Sequence, residues 1–314
     1  MGTALSAEGT DGLAAAERVL REGVGDRLRT DFPLAPLTSF RLGGPAALYL
    51  EIESSDELQA AGRSVIETGV PFLVIGKGSN LLVADTGFPG LVVRLGRSYR
   101  WVAREGELLR AGAAMPLPAL AGVALSHRLS GLEFGVAIPA SVGGSVRMNA
   151  GAHGHALDEV IESIEIFDIA RGAMRAVPGS EAGFAYRASG LPDPGVVVAA
   201  GFTLASGETD QIRKEMDEAR AWRRATQPLA EPNCGSVFKN PPGDHAARLI
   251  EAVGGKSLAV GGARVSEKHS NFIVAGPGAT ARDVHSLMTL LRERVSSRFD
   301  VELEAEVRMV GPVS

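Results

Sequence analysis

Two glycine-rich stretches carry the residues whose types and spacing could bind a charged ligand. Residues 138–154, which we call the glycine-rich loop, read IPASVGGSVRMNAGAHG, with small residues between the glycines and a single Asn149. Glycine allows positive φ and a close backbone approach, so main-chain N–H groups there can face a flat or anionic group. A tight loop that merely connects two strands is the alternative.

Residues 76–80, GKGSN, form a second stretch of this kind, which we call the GKGSN turn. The spacing matches neither GxxxxGK[ST] nor GxGxxG, so neither a P-loop nor a Rossmann fingerprint is indicated. Backbone donors together with the Ser79 and Asn80 side chains suit a pyrophosphate, although a plain β-turn is the alternative. Two separated glycine-rich turns fit a dinucleotide better than a mononucleotide.

Hydrophobic periodicity predicts the elements that must position these turns. Residues 1–12 are predicted to be disordered. The final strand alternates: one face carries Val301, Leu303, Ala305, Val307 and Met309, and the other carries Glu302, Glu304, Glu306 and Arg308. Helices are predicted at residues 13–24, 54–68, 117–128, 208–224 and 244–253, and from residue 280 onward, with capping patterns at Ser54–Glu57 and Thr280–Asp283. Strands are predicted at residues 47–52, 71–75, 81–83, 91–95, 161–169, 196–204, 271–275 and 301–310, with a turn at residues 87–90.

The composition narrows the class of protein. The 314 residues are 45% hydrophobic and 22% charged, as in globular proteins, and the net charge of -5 gives no basic stripe for nucleic acid. A single cysteine, Cys234, excludes an intramolecular disulfide and a Cys-based zinc site. There is no apolar run of about 18 residues and no signal-like N-terminus, so a cytoplasmic protein of two or three domains is expected.

Six motifs, in this order along the chain, together resemble the UDP-N-acetylenolpyruvoylglucosamine reductase family. They are TSFRLGGP (38–45), GKGSNLLV (76–83), the glycine-rich loop, YRAS (186–189), GSVFKN (235–240) and EAEVR (304–308). The resemblance covers nearly the whole chain from about residue 34. It implies an α+β chain, with a vanillyl-alcohol-oxidase-type FAD-binding fold in two α/β subdomains and a C-terminal α+β substrate domain. The implied segments are 1–30 (N-terminal tail and helix), 31–96 and 97–228 (FAD-binding subdomains) and 229–314 (substrate-binding domain).

The resemblance also implies an oxidoreductase that acts on a CH–CH group. Non-covalent FAD and the co-substrate NADPH would reduce the enolpyruvyl ether of UDP-N-acetylglucosamine enolpyruvate to UDP-N-acetylmuramate, in peptidoglycan precursor synthesis. The expected partner is this sugar nucleotide, with no nucleic acid, membrane or metal, and a monomer is expected. An oxidase of the same flavin fold and a non-catalytic flavin or sugar-nucleotide binding module are the alternatives.

Site residues follow from the matched motifs. Ser236 corresponds to the proton donor, and Arg187 and Glu306 correspond to the residues that stabilise the enolate. The residues expected to contact FAD are Arg41, Gly76, Lys77, Gly78, Ser79, Asn80, Leu81, Pro139, Ser141, Gly143, Gly144, Asn149 and Gly151. The residues expected to contact the substrate are Tyr186, Lys239, Asn240 and Lys268.

Two of the catalytic assignments, Ser236 and Glu306, have a structural alternative. Ser236 could form an ST-turn or a helix cap, and Glu306 could lie on a solvated strand face. Glu306 can stabilise an enolate only if it is protonated or shares a hydrogen-bond network. Cys234 has no neighbouring activating His in the sequence and is expected to be a buried, inert thiol. His153 is expected to be packed or hydrogen-bonded and to carry no covalent flavin.

The chain departs from the family pattern at a few positions. Ala140, His153 and Ala305 stand where the family more often has Gly, Tyr and Pro. The Tyr-bearing insertion that one subclass places between its YR and GS motifs is absent from the sequence. The chain therefore resembles the loop-free subclass.

Overall fold

The computed structural model describes residues 7–313. Its α-helices are α1 (Ala7–Val24), α2 (Ser55–Thr68), α3 (Leu117–Ser126), α4 (Val142–Arg147), α5 (Thr209–Thr226), α6 (Ala246–Ala252) and α7 (Ala281–Phe299). Each predicted helix has a counterpart, whereas α4, inside the glycine-rich loop, was not predicted. Within residues 7–313, no helix has both the length and the apolar character needed to cross a bilayer.

The strands are mostly short. They are β1 (Arg29–Pro33), β2 (Pro45–Ile52), β3 (Phe72–Val74), β4 (Leu81–Val83), β5 (Phe88–Leu95), β6 (Val102–Glu105), β7 (Leu108–Gly112), β8 (Leu129–Ser130), β9 (Gly151–Ala152), β10 (His155–Ala156), β11 (Ile161–Asp168), β12 (Ala173–Pro178), β13 (Gly195–Thr203), β14 (Ala205–Ser206), β15 (Ala259–Val260), β16 (Ala263–Val265), β17 (Ile273–Ala275) and β18 (Arg308–Val310).

The described chain divides into two compact units. Unit 1 comprises residues 7–32, 46–76 and 89–220. It contains a four-stranded sheet in the order β1-β2-β5-β3 and a five-stranded antiparallel sheet in the order β12-β11-β13-β7-β6. Strand β13 is central in the second sheet, and its residues are buried from Gly195 to Phe202, as expected for a strand covered on both faces.

Unit 2 comprises residues 33–45, 77–88 and 221–313. Strands β15, β16 and β17 form a small antiparallel sheet, and β4 pairs in parallel with β18. The core of unit 2 gathers the apolar face of α7 with the buried side chains of Phe40, Leu82 and Phe238. Burial of a large apolar side chain contributes about 1.5–3 kcal/mol, so distant parts of the chain are held in one unit.

Local sequence signals explain where two helices begin. Thr280 and Asp283 form the predicted capping box of α7, because the Thr280 hydroxyl accepts from Asp283 N and the Asp283 carboxylate accepts from Thr280 N. At α2, the Ser54 hydroxyl accepts from Glu57 N as predicted. The Glu57 carboxylate, however, accepts from Glu53 N, one residue before the position that a capping box uses.

The predicted strand at residues 301–310 is wrong over most of its length. Only β18 is a regular strand, because residues 301–307 run beside the irregular segment 236–240, making an isolated bridge between Phe238 and Ala305. Leu303 and Val307 are buried as the alternation predicted, but Met309 is 37% exposed and Val310 is buried instead.

Two further predictions are corrected. The turn predicted at residues 87–90 lies earlier, because Gly87 N donates to Ala84 O and β5 begins at Phe88. Helix α1 begins at Ala7 and not at residue 13. The disorder predicted for residues 1–6 falls outside the described residues, and the predicted boundaries at residues 30, 96 and 228 stay predictions.

Candidate active site

The GKGSN turn packs against the TSFRLGGP segment inside unit 2. Ser39 donates to Gly78 O from its main-chain N, at 3.0 Å, and from its hydroxyl, at 3.3 Å. Gly78 has φ +59, and an added Cβ would lie 2.1 Å from Leu37 O. Only glycine fits at this position. Arg41, two residues beyond Ser39, is exposed and also has a positive φ of 57°.

Gly76 and the glycine-rich loop approach each other inside unit 1. A Cβ added at Gly76 would lie 2.4 Å from Ser141 Oγ, and one added at Gly143 would lie 2.9 Å from Ala113 Cβ. Ser141 is buried and caps α4, since its hydroxyl accepts from Gly144 N at 3.4 Å. Gly76 and the glycine-rich loop therefore form one tightly packed surface within unit 1, where small residues allow close approach.

This surface fits a bound organic cofactor. The Ser145 hydroxyl on α4 is buried and has no hydrogen-bond partner among the described residues, so it leaves a polar atom that a ligand could satisfy. Gly144 and Pro139 are exposed beside it. Within the described part of the chain, no three His, Cys, Asp or Glu side chains cluster to hold a metal ion.

Arg187 lies in a tight turn of unit 1. Ala185 and Ala188 exchange two main-chain hydrogen bonds of 3.1 Å, which leaves Tyr186 and Arg187 at the tip. Tyr186 is 52% exposed, and the Arg187 guanidinium lies 5.0 Å from its ring centroid. Arg187 has φ +56, and its Nη2 donates to Gly151 O at 2.9 Å. Positive φ in a non-glycine residue costs energy that the surroundings must offset.

Asn149 lies at the centre of the contacts between the glycine-rich loop and this turn. It is 4% exposed. Its Nδ2 donates to Ala185 O at 3.2 Å, and its Oδ1 accepts from Asp158 N at 3.0 Å. Because the two partners are an acceptor and a donor, they fix the orientation of the carboxamide. Both ends of the Asn149 side chain thus contact the protein itself.

The GSVFKN and EAEVR motifs lie side by side in unit 2. Glu306 N donates to Val237 O, and Lys239 N donates to Glu304 O, each at 2.9 Å. The buried Asn271 side chain holds the other side of the GSVFKN segment, accepting from Phe238 N and donating to Phe238 O. The Asn271 side chain therefore ties two segments of unit 2 together.

Ser236 lies on this held segment, half-buried, and forms a bridge with Phe272. Within residues 7–313, its hydroxyl makes no hydrogen bond, so neither a cap nor an ST-turn explains it. Gly235, just before it, has φ +84 and donates to Asn233 Oδ1. The backbone of Ser236 is therefore held in place, while its hydroxyl has no hydrogen-bond partner among the described residues.

Glu306 differs from the glutamates that precede it. Glu302 and Glu304 are exposed, whereas Glu306 is half-buried. Its main-chain oxygen accepts from Asn80 Nδ2 at 3.0 Å, and Arg308 N donates to Asn80 O. A solvated strand face thus describes the first two glutamates but not Glu306. The GKGSN turn and the EAEVR motif are in direct contact.

The predicted substrate-binding residues of unit 2 have separate partners. Lys239 Nζ forms an ion pair of 2.6 Å with Glu304, and Asn240 Oδ1 accepts from Ala246 N at the start of α6. Lys268 is exposed, and its Nζ donates to Arg224 O at 3.3 Å. The first two belong to the GSVFKN motif, and Lys239 contacts the EAEVR motif through Glu304, whereas Lys268 contacts a different part of the unit.

The remaining predicted residues divide between the two units. Lys77 is exposed and Ser79 half-buried in the GKGSN turn, and Leu81 begins β4, where it pairs with Arg308. In unit 1 are Gly76, Pro139, Ser141, Gly143, Gly144, Asn149, Gly151, Tyr186 and Arg187. In unit 2 are Arg41, Lys77, Gly78, Ser79, Asn80, Leu81, Ser236, Lys239, Asn240, Lys268 and Glu306.

Two perturbed groups lie near the GSVFKN motif. Cys234 is buried, and burial, with a smaller contribution from Glu306, raises the pKa of its thiol. The predicted burial of Cys234 is confirmed, and the inert role stays a prediction, which a protonated buried thiol would fit because it is a poor nucleophile. Burial, reinforced by Lys256, lowers the pKa of His269. His153 is exposed and has φ +55.

Sequence reasoning missed the residues that brace the Tyr186–Arg187 turn from outside. Ser189 Oγ donates to Arg147 O at 2.9 Å, and the Arg147 guanidinium donates to Leu191 O and Gly195 O. A lone arginine in a loop of small residues was the available signal for Arg147. The YRAS motif contains Ser189 but does not indicate this hydrogen bond to Arg147 O.

Comparison with known proteins connects these motifs to one family. Residues 227–310 match the family model described as UDP-N-acetylenolpyruvoylglucosamine reductase, C-terminal domain, and residues 46–177 match the FAD binding domain. The UDP-N-acetylenolpyruvoylglucosamine reductase of Anaeromyxobacter sp. (strain Fw109-5) is 45% identical over 301 residues, which cover 96% of this chain and 93% of that protein. The Heliobacterium modesticaldum protein of that name is 44% identical over 281 residues, 89% of each chain.

A solved structure gives the same result. The UDP-N-acetylenolpyruvylglucosamine reductase of Thermus caldophilus superimposes with a TM-score of 0.78 at 36% identity, covering 90% of this chain and 98% of that one. Together with the FAD binding domain match, this confirms the predicted fold class.

Proposed function

The chain belongs to the UDP-N-acetylenolpyruvoylglucosamine reductase family, and from this we propose that it reduces UDP-N-acetylglucosamine enolpyruvate to UDP-N-acetylmuramate. FAD is the bound cofactor and NADPH is the source of electrons. The reaction adds a hydride and a proton across the enolpyruvyl double bond. The product is a precursor of peptidoglycan.

One observation in particular supports this proposal. The Glu306 main chain is held at its N–H by Val237 O and at its carbonyl by Asn80 Nδ2. The segment of the proposed proton donor, the proposed anion-stabilising glutamate and a proposed cofactor turn therefore meet inside unit 2. A merely solvated strand would not need such restraint.

The residues present fit FAD. A Cβ added at Gly76 or Gly143 would collide with neighbouring protein atoms, so both positions need glycine. Ser145 Oγ is a buried polar atom without a protein partner among the described residues. When bound, FAD would supply the hydride chemistry, with NADPH as the source of electrons. The protein supplies binding, orientation, exclusion of water and the proton.

Ser236 holds the proton at its Oγ. A serine hydroxyl is a weak acid, so it can donate only to a strongly basic acceptor such as the enolate that follows hydride addition. No hydrogen bond within residues 7–313 ties down the hydroxyl. It can therefore turn toward the substrate without first breaking a contact to the described protein.

Arg187 and Glu306 stabilise the negative charge that develops on the substrate. The planar guanidinium of Arg187 matches a carboxylate, and this interaction strengthens as charge grows toward the transition state. Glu306 acts in its protonated form or through a shared hydrogen-bond network, because a free carboxylate would repel the developing anion. Tyr186, Lys239, Asn240 and Lys268 contact the phosphates or the sugar.

The electron donor and acceptor are tested together by anaerobic spectroscopy. Protein saturated with FAD is titrated with NADPH, and then with UDP-N-acetylglucosamine enolpyruvate. We expect NADPH to bleach the absorbance near 450 nm and the enolpyruvyl substrate to restore it with formation of UDP-N-acetylmuramate. A protein that binds no flavin, or whose bleached flavin is restored by oxygen but not by the substrate, contradicts the proposal; the second result would instead indicate an oxidase.

We further propose that the enzyme is a cytoplasmic monomer whose partner is the sugar nucleotide, without nucleic acid or membrane. The proposal follows from the family and from the lack of a basic stripe in a chain of net charge -5. Analytical ultracentrifugation at micromolar concentration tests the monomer. A dimer mass that is independent of concentration would contradict it.

A further inference from the structure

We propose that Asn149 is a positioning residue that orients Arg187 for the reaction, and not a ligand of the cofactor. The inference rests on the proposed function, because it takes Arg187 as the residue that stabilises the enolate. It begins from the way in which the glycine-rich loop holds the turn of Tyr186 and Arg187. All of these contacts lie within unit 1.

The turn is attached to the loop at three alternate loop residues. Ser189 Oγ donates to Arg147 O at 2.9 Å, Asn149 Nδ2 donates to Ala185 O at 3.2 Å, and Arg187 Nη2 donates to Gly151 O at 2.9 Å. Residues 147, 149 and 151 thus hold residues 189, 185 and 187. The loop fixes both flanks of the turn and the guanidinium at its tip.

Among these three contacts, Asn149 is the loop residue that uses its side chain, since Arg147 and Gly151 use their main-chain oxygens. The Asn149 side chain is itself well restrained. The residue is 4% exposed, and Oδ1 accepts from Asp158 N at 3.0 Å while Nδ2 donates to Ala185 O. A carboxamide held at both ends has a fixed direction. It therefore holds the Ala185 carbonyl at one location.

The Arg187 backbone needs such a restraint. Its φ of +56 is one that residues with side chains seldom adopt, and the turn closes through two main-chain hydrogen bonds between Ala185 and Ala188. Without the contact to Ala185 O, the turn can relax and carry the guanidinium away. A misplacement of about 1 Å at a reacting group can cost about a hundredfold in rate.

The consequence is specific to one half of the reaction. The guanidinium matters when negative charge develops on the substrate, so a displaced Arg187 slows reoxidation of the flavin by the enolpyruvyl substrate. Reduction by NADPH does not use that charge. A direct contact between Asn149 and the flavin would instead alter cofactor affinity and both half-reactions.

Asn149→Asp is the discriminating variant. Asp keeps an oxygen for Asp158 N and tolerates the φ of +41 found here, but it replaces the donor to Ala185 O with an acceptor. Asn149→Gly is its matched partner, because it also accepts positive φ and removes both bonds without adding charge. A defect that both variants share comes from the lost donor and not from a new carboxylate.

The experiment measures FAD affinity and both half-reactions by anaerobic stopped flow in the FAD-loaded full chain. We expect both variants to slow substrate-driven reoxidation at least about tenfold, the rate equivalent of one lost hydrogen bond of ordinary strength. FAD affinity and the rate of reduction by NADPH should stay within about twofold. In an Arg187→Ala background, Asn149→Asp should cause no further loss, because the group that it positions is gone.

Three results would overturn the inference: equal losses in the two half-reactions, a loss confined to FAD affinity, or full additivity with Arg187→Ala. The wild-type protein separates this failure from that of the proposed function. If substrate does not reoxidise wild-type protein, the proposed function fails. If it does so while both Asn149 variants behave as wild type, only the positioning role fails.

Discussion

The side chain of Asn80 donates a hydrogen bond to the main-chain oxygen of Glu306, with 3.0 Å between Nδ2 and O, across 226 residues of sequence. The Asn80 carbonyl accepts from Arg308 N, also at 3.0 Å. One residue of the GKGSN turn therefore holds both ends of a three-residue segment that contains the proposed anion-stabilising glutamate. A change at Asn80 should reach the Glu306 side chain through its backbone.

Replacement of Asn80 by alanine should lower both turnover and stability. The variant leaves the Glu306 carbonyl without this donor, which costs about 1–3 kcal/mol where the group is buried, and we expect kcat to fall about tenfold. Steady-state kinetics and urea unfolding measure the two effects. The control is Ser39→Ala, which removes a 3.3 Å hydroxyl contact to Gly78 O in the same turn while Ser39 N keeps its own. Equal losses in kcat from both variants would show that the loss of the hydrogen bond to Glu306 is not the cause of the lower turnover.

Replacement of Ser236 by alanine should separate the two half-reactions. Since the hydroxyl is assigned only to protonation of the enolate, bleaching by NADPH should stay within about twofold of wild type. Reoxidation by the enolpyruvyl substrate should slow by about 10²–10⁴, the usual contribution of a positioned general acid. Anaerobic stopped-flow absorbance measures both rates. Ser257→Ala, an exposed serine of the same unit, should change neither, and a Ser236→Ala defect of similar size in both steps would rule out the assignment.

Sequence reasoning succeeded where the partners are neighbours in the chain. The caps of α7 and α2 join residues three apart, Thr280 with Asp283 and Ser54 with Glu57, so a short window contains the whole interaction. The same holds for β13, whose apolar run reports burial directly. The face predicted for Met309 was wrong, because the alternation ends where β18 begins to pair with β4, which is distant in the sequence.

The candidate site shows the same limit. The glycine-rich stretches, Ser236 and Arg187 were found from motifs, because each motif is local. The hydrogen bonds of the Asn149 and Asn80 side chains were not predicted, because these carboxamides donate to carbonyls 36 and 226 residues away. An asparagine in a glycine-rich turn indicates polarity and tolerance of positive φ, but its sequence position does not say which carbonyl it will meet.

Replacement of Gly76 by alanine should weaken FAD binding. The new Cβ would lie 2.4 Å from Ser141 Oγ, so the cap of α4 at Gly144 must shift. We expect the Kd for FAD to rise at least about tenfold, equivalent to ~1.4 kcal/mol, as measured by flavin fluorescence. Gly122→Ala is the control, because its added Cβ meets nothing within 4 Å in the middle of α3. It should keep FAD affinity and raise the free energy of unfolding by up to ~1 kcal/mol. Unchanged FAD affinity in Gly76→Ala would mean that the cofactor does not depend on this packing.

The capping box of α7 should make stability depend on pH at the acid end. Asp283 accepts from Gly262 N and from Thr280 N, and these bonds, that to Gly262 foremost, lower the pKa of its carboxyl. A lowered pKa in the folded state means that the contribution is fully present above the unfolded value of about 3.9 and is lost as the pH falls through the folded value. Asp283→Ala should therefore reduce the free energy of unfolding by about 1 kcal/mol at pH 7, and the deficit should shrink near pH 3.

Urea unfolding at the two pH values measures the difference between Asp283→Ala and wild type. The matched control is Asp210→Ala in the first turn of α5, whose side chain is 99% exposed and lies 3.5 Å from Arg213. An exposed pair of this kind contributes little, so this variant should follow wild type at both values. A deficit in Asp283→Ala that is the same at pH 3 as at pH 7 would mean that the ionised carboxylate does not hold the start of α7. A deficit that grows as the pH falls would give the pKa shift the opposite sign.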